Sequence, residues 1–296
     1  IIILIANGSH SFSDSNEEKI DIVGKAVFER YEVYNHDCLD EKNLIFLGKT
    51  SRGTPISVNK ILIDSTKIIT IGGVLPHYFA GFGGGPKLII PGCAGYETIR
   101  QNHSLTIEPN KPDLHPMCNT FILKGNPVQE DIKEAVEYIK VAFSVNTVLN
   151  SNNDIIFAAV GNLYESHKAA CKIVEKIYKY NFNRKYDVVI VSCGGFPKDI
   201  NVIQAHKTIF NIFPLVKKNG MIITLAECSE GLGSSTFNRL LDISSVDLLH
   251  KKLIKNFVIN GNTILSLKKK CLEKTIFFIS QLSKNDTEKI GMVPAE

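Results

Sequence analysis

Eight of the chain's 21 glycines fall between positions 72 and 103, in the run GGVLPHYFAGFGGGPKLIIPGCAGYETIRQNH. Glycine loses more conformational freedom on folding than any other residue. A fold therefore keeps it at this density only where backbone must come close to something. Exposed amides in such a loop suit phosphate or another anion. The spacing is neither G-x-G-x-x-G nor G-x-x-x-x-G-K-[ST], so the standard dinucleotide loop and the P-loop are both excluded. The preceding run KIITIGG (67–73) reads as a buried strand that halts at glycines. The loop is therefore fed from a sheet.

At 296 residues, 44% apolar and 22% charged, the chain has the composition of a globular protein and the length for two cores. Its net charge of +4 is spread along the sequence, which argues against nucleic acid or a membrane as partner. The basic tract from Lys251 to Lys274 reads as a solvated helix face. Seven cysteines with no C-x-x-C pair read as buried thiols in a reducing compartment. No apolar run reaches about 18 residues and no signal peptide is visible, so a cytoplasmic location is expected. The opening Ile1–Ile5, without a Met, reads as the interior of a buried strand and predicts a natural protein that extends further at its N-terminus.

Along the chain, Ser15-x-x-Glu18 predicts a capping box and a helix to about Phe28. Short strands are expected at 31–36 and 44–48, and a helix starting at Thr54-Pro55 that turns Val58, Ile61 and Leu62 inward. After the glycine segment, residues 104–127 are polar and proline-bearing and read as a surface excursion. An amphipathic helix over Glu130–Lys140 carries Ile132, Ala135, Val136 and Ile139 on one stripe. A strand pair at 143–149 and 154–160 and a helix from about Ser166 to Tyr178 complete this half. Residues 181–185 form the best linker. Beyond it, DVVIVSCGG, a helix from about Asn201 to Lys218 and GMIITLAEC make a β-α-β unit, hence a parallel sheet. Ligands in open α/β sheets sit at the carboxyl ends of the strands, where Ser229–Ser234 follows. The expected fold is α/β, with two α/β domains and a cleft between them. Residues 1–180 form a cofactor-binding and catalytic domain. Residues 181–296 form a substrate-contacting domain with a parallel β-α-β core, its last residues free to return to the first domain.

Three residues in the glycine segment carry usable chemistry. His77 precedes the loop, Lys87 ends it and His103 follows 16 positions later. Neutral imidazole is a good ligand for nickel, copper or zinc and, near neutrality, a good general base. A lysine among glycines is either a phosphate contact or, with its pKa lowered, an amine nucleophile. Gln204 and Lys207, three apart on the predicted helix after GGFPKD, share a face. His206 points elsewhere and reads as structural, as do His36, His115, His167 and His250. Cys93 reads as packing.

The run HYFAGFGGGPKLIIPGCAGYETIRQNH resembles the signature segment of the nickel-pincer-nucleotide lactate racemase family. Three further stretches agree in order: NGSH at 7–10, GTPISVNK at 53–60 and GGFPKDINVIQAHK at 194–207. The resemblance implies a racemase or epimerase of a 2-hydroxy acid. Its cofactors would be nickel and pyridinium-3,5-bisthiocarboxylic acid mononucleotide, a nicotinate-derived pincer supplied by cofactor-synthesis enzymes. By the same resemblance His10 and His77 are the acid/base pair, and Lys87, Gly81, Gly84 and Gly85 contact the cofactor. His103 completes the nickel coordination, and Gln204 and Lys207 hold the substrate. Hydride from the substrate's C2 moves to the cofactor ring, and the planar keto acid turns before hydride returns. The family pattern has Ser and Arg where this chain has Gly83 and Pro86, and Arg-Pro where it has Ser11-Phe12. A cofactor-binding protein without turnover would keep the loop and Lys87 but need neither His10 nor His77. A metal-dependent hydrolase would want more carboxylate ligands near His77 and His103 than the sequence offers.

Overall fold

In the computed structural model, which describes residues 1–10 and 12–296, β1 (Ile2–Ile5) runs parallel to β2 (Glu32–Asn35). Ser11 lies outside the described residues. The crossover is α1 (Asn16–Val23) and α2 (Lys25–Phe28), separated at Gly24. Ser15 caps α1 by accepting the Glu18 N–H at 3.2 Å, as the capping box predicts. The expected burial of the first strand fails: only Ile5 is buried, while Ile1 and Ile2 are exposed.

The helix expected from Thr54-Pro55 is instead a strand. β3 (Leu44–Lys49) pairs antiparallel with β4 (Pro55–Asn59), and Ile56 and Val58 alternate into the core at strand period. Helix α3 (Lys60–Asp64) starts only after Asn59, whose side chain accepts the Ile61 N–H at 3.0 Å. Next come β5 (Ile68–Gly73), the two-residue arms β6 (Pro76–His77) and β7 (Gly81–Phe82), and helices α4 (Tyr96–Ser104) and α5 (Pro127–Val136). β8 (Val141–Leu149) lies between β5, parallel, and β9 (Ile155–Gly161), antiparallel. Helix α6 (Leu163–Tyr178) buries Leu163, Ala170, Cys171 and Val174, three of which share a cluster with Val148 and Phe82. The predicted stripe Ile132, Ala135, Val136 and Ile139 is buried as a set.

The chain divides into two units, 1–102 with 121–179, and 103–120 with 180–296. The second unit is built on an all-parallel sheet. In chain order it comprises β10 (Tyr186–Ser192), α7 (Val202–Ile212), β11 (Val216–Leu225), α8 (Ser235–Leu241), α9 (Val246–Lys255), α10 (Gly261–Glu273), β12 (Thr275–Ile279), α11 (Lys284–Ile290) and β13 (Val293–Ala295). Its strands lie in sequence order, β10-β11-β12-β13. The β-α-β unit read from the sequence is β10-α7-β11, although α7 is shorter than expected because β11 begins at Val216.

Two expectations about exposure change here. The polar excursion is not all surface: Ile107 and Leu114 bridge each other and are buried in the second unit's core with Ile209, Ile222 and Ile264. His250 holds this excursion at the Glu108 carbonyl, 2.7 Å away, and Lys269 pairs with Asp113. The basic tract is not a fully solvated face either. Lys268 is buried and donates to the carbonyls of Leu241 and Lys289, both at 2.9 Å. Those carbonyls belong to the last turns of α8 and α11, where orphan acceptors favour a cation. Among the described residues no helix is long and apolar enough to cross a membrane.

Three buried histidines set how stability responds to acid. His36 is fully buried, with Nε2 2.9 Å from the Ala94 carbonyl and Nδ1 3.1 Å from the Asn59 amide nitrogen. The amide donates to Nδ1 and Nε2–H donates to the carbonyl, so the ring is neutral. Burial is the main reason that His36, His167 and His206 all sit below the ordinary value of 6.5. The unfolded chain therefore binds protons that the folded chain refuses. Stability present above pH 6.5 is lost as pH falls toward the lowered folded values. The thermal midpoint is expected to drop between about pH 7.5 and 5.5; a midpoint unchanged across that interval would contradict the neutral assignment.

Candidate active site

The glycine loop leaves β5 and is stitched back onto the same sheet. The Val74 N–H donates to the Thr147 carbonyl and the Gly83 N–H to the Leu75 carbonyl, both at 2.8 Å. Between these bonds the arms β6 and β7 pair His77 with Gly81. The turn that joins them brings the Ala80 N–H to His77 Nδ1 at 3.2 Å. Nδ1 is thus an acceptor, and a neutral His77 carries its hydrogen on Nε2. The His77 ring meets Phe79 edge-on at 4.5 Å between centroids. Lys87 Nζ lies 5.6 Å from the centroid of the same Phe79 ring. One aromatic side chain therefore joins the imidazole of His77 to the amine of Lys87.

Beneath the loop lies a buried polar network. Asn146, in the middle of β8, accepts the Gly85 N–H at 3.1 Å. Its amide group donates to Ser144 Oγ at 2.9 Å and Ser166 Oγ at 3.0 Å, while Thr70 donates to Ser144 at 2.8 Å. His167 Nε2 donates to the Gly83 carbonyl at 2.9 Å. On the other side Gln129 donates to the carbonyls of Ala80 and Phe82, and Asn126 to that of Phe79. Hairpin carbonyls buried away from water are satisfied by side-chain amides from α5 and its cap. The glycines are equally constrained. At Gly81, φ is 77° and a Cβ would strike the Ile122 backbone. At Gly85, φ is 54° and a Cβ would enter the His167 ring. Gly84 lends its carbonyl to the Lys87 N–H at 3.1 Å, closing the short turn that carries the lysine.

His10 lies exposed in the turn after β1. The Gly8 N–H donates to the Gly92 carbonyl at 2.9 Å, and the Gly92 N–H to the Lys87 carbonyl at 3.0 Å. Two backbone bonds thus tie the His10 turn to the residue bearing the amine. His10, His77, Lys87 and the three glycines consequently share the first unit. Cys93 is a core thiol, pushed up to about 12 by burial, as the packing expectation has it.

The remaining predicted residues belong to the second unit. His103 stands on the last turn of α4, its carbonyl accepting from both the N–H and the hydroxyl of Thr106. Gln204 and Lys207 share a face of α7, with Lys207 Nζ donating to Gln204 Oε1 at 2.6 Å. Burial lowers the Lys207 amine from its usual value. At the carboxyl ends of β10, β11 and β12 lies a shallow cavity of about 350 Å³, lined in part by Ser192, Asp199, Glu227 and Ser280. It is at the sheet edge where a ligand is expected, yet none of the predicted site residues lines it. Sequence reading passed over Asn126, Gln129 and Asn146, and took His167 as structural, the part it plays at the Gly83 carbonyl. The available signal was weak: polar residues at inward positions of β8 and at the start of α5.

Residues 1–113 match the lactate racemase N-terminal domain and residues 182–263 the lactate racemase C-terminal domain. The lactate racemase of Thermoanaerobacterium thermosaccharolyticum is 32% identical over 237 residues, covering 80% of this chain and 54% of that protein. That of Lactiplantibacillus plantarum is 31% identical over 244 residues, covering 82% and 56%. The chain belongs to the lactate racemase family. It spans about half the length of these curated relatives. Among solved structures, the lactate racemase apoprotein from T. thermosaccharolyticum matches with a TM-score of 0.90 at 28% identity, over 100% of this chain and 70% of that one. A Thermotoga maritima protein shares the fold at a TM-score of 0.76 and 20% identity, over 100% and 79%. The α/β architecture read from the sequence is therefore that of the lactate racemase family.

Asn146 is the side chain through which the loop's seat can be tested. Asn146→Ala strands the Gly85 amide and removes the donor to two hydroxyls. A loss of about 1–3 kcal/mol is expected from the orphaned amide alone, read as a lower urea midpoint at unchanged slope. A midpoint within error of the unaltered protein would show that the network does not hold the loop.

Proposed function

We infer that the protein acts as a racemase or epimerase of a 2-hydroxy acid, with lactate the first candidate substrate. The observation that carries this reading is the placing of His77 and Lys87 against one Phe79 ring, on a loop anchored from both sides, in a chain of the lactate racemase family. The two curated relatives are both named lactate racemase.

The implied cofactor, a nickel ion gripped by a pincer nucleotide, suits the residues present. Gly73 and Gly83 border open space: a Cβ at Gly73 would meet nothing within 4 Å, and one at Gly83 only the Leu75 carbonyl at 3.8 Å. Among the described residues no three His, Cys, Asp or Glu side chains gather to hold a metal. An ion held here would take donors from a bound organic group as well as from imidazole, and nickel accepts such mixed sets. Lys87 and the loop amides would hold the nucleotide, and His103 would supply the protein's imidazole ligand. When bound, the cofactor supplies the hydride acceptor.

The chain's own residues then handle protons and carboxylate. Because the Ala80 amide occupies Nδ1 of His77, proton traffic on that side runs through Nε2, which rests in its donating form. His10, exposed and tied to the Lys87 segment, serves as the partner that accepts the hydroxyl proton; inversion requires the two to exchange roles. Lys207, already directed by Gln204, binds the substrate carboxylate. Anchoring the loop fixes His77 and Lys87 before substrate arrives, which is where positioning contributes to rate.

The test is deuterium wash-in at C2 across a panel of 2-hydroxy acids, using the full-length, cofactor-loaded protein. Exchange with inversion is expected for lactate or a close analogue. His77→Ala should keep the cofactor's visible absorbance yet lose exchange by about 10²-fold or more. Normal exchange in that variant would remove His77 from the acid/base role.

A further inference from the structure

We propose that Ser266 and Lys270 of α10 are positioning residues for the Gln204–Lys207 pair, acting through the buried imidazole of His206. The inference rests on the reading of Gln204 and Lys207 as substrate contacts, and its core can be tested without turnover.

The geometry forms a continuous chain of groups inside the second unit. Lys270 Nζ lies 2.6 Å from Ser266 Oγ, one turn back on α10. Ser266 Oγ lies 3.3 Å from Nε2 of His206 on α7. His206 is fully buried and Ser266 nearly so. Phe210, one turn along α7 from His206, stands edge-on to the imidazole at 5.9 Å and beneath Lys270 Nζ at 4.4 Å. Phe213 lies 5.3 Å from the same ammonium. Two aromatic faces and one hydroxyl thus fix the cation against α7.

An ammonium only donates, so Ser266 Oγ accepts from Lys270. The same oxygen meets Nε2 of His206, and a neutral ring held by one hydroxyl keeps its hydrogen on a single nitrogen. His206 lies between Gln204 and Lys207 in sequence, so the α10 tether fixes the rotation of the helix that presents both side chains. A neutral His206 also avoids placing a further cation beside Lys207 and Lys270, both of which disfavour its protonation.

The device has a pH limit. Burial brings the Lys270 amine down to about 8, opposed by Asp113 and Glu273 and helped by Lys269. Cys271, itself held up near 12 by burial, and neutral His206 complete its titratable neighbours. Once Lys270 loses its proton, its charge-assisted bond to Ser266 is lost, and the tether loosens.

The decisive measurement uses full-length, cofactor-loaded protein labelled with ¹⁵N at histidine. Long-range ¹H–¹⁵N spectra at pH 7 should report a single neutral tautomer for His206. Ser266→Ala, its fold verified by a matching far-UV spectrum, should shift that ring toward mixed tautomers. Lys270→Met should do the same, and Lys270→Arg should preserve the single tautomer at pH 9, where the unaltered protein loses it. With lactate as substrate, Ser266→Ala should raise KM about three- to tenfold, the worth of one hydrogen bond, and leave kcat within about twofold. Mixed tautomers in the unaltered protein at pH 7, or a tautomer indifferent to both substitutions, overturns the tether. An altered tautomer with unchanged KM overturns its role in positioning. Failure of every 2-hydroxy acid to turn over would instead refute the racemase reading, with the tautomer result standing separately.

Discussion

Asn146 is the side chain on which the geometry of the first unit turns. It is fully buried on β8, and it joins the amide of Gly85 to hydroxyls from the same strand and from α6. The glycines of the loop have no side chains with which to grip their surroundings, so their seat has to be supplied from outside. Asn146 supplies it from below, His167 at the Gly83 carbonyl, and Asn126 with Gln129 at the hairpin. Buried networks of this kind strengthen one another when complete and are costly when broken. The positions of His77, Phe79 and Lys87 are consequences of that closure.

The second unit meets a comparable demand by other means. Its helices end in carbonyls with no intrahelical partner, and lysines from the basic tract reach them with long apolar stems. Lys268 serves α8 and α11, while Lys274 donates to the Phe213 carbonyl after α7. Part of the charge that looked like solvated surface is spent on helix ends and aromatic rings, while Lys251, Lys252 and Lys255 remain exposed.

Periodicity made much of the architecture legible. β5, β8, β9 and β10 announce themselves by apolar β-branched runs that stop at glycine or asparagine, and β10-α7-β11 follows from the same logic. Pro55 misled because proline suits both a helix's first turn and an edge strand; pairing with β3 decided between them. The burial expected of Ile1 and Ile2 failed because a continuous apolar run says nothing about which neighbours a strand finds. At the site, His10, His77 and Lys87 were visible by residue type and family resemblance, whereas their supports were not. Gly85 and Asn146 are 61 positions apart, and His206 and Ser266 are 60. No local pattern reports a hydrogen bond formed at that range.

The allocation of residues 103–120 to the second unit affects how this polypeptide emerges from the ribosome. Translation is vectorial, and domains tend to acquire structure in the order they are made. Residues 1–102 and 121–179 can close on themselves once position 179 is out. Ile107 and Leu114, however, have to wait until α7, β11 and α10 exist before they can leave water. An eighteen-residue tract bearing two unburied hydrophobes therefore remains available to chaperones for the time it takes to synthesise more than a third of the chain.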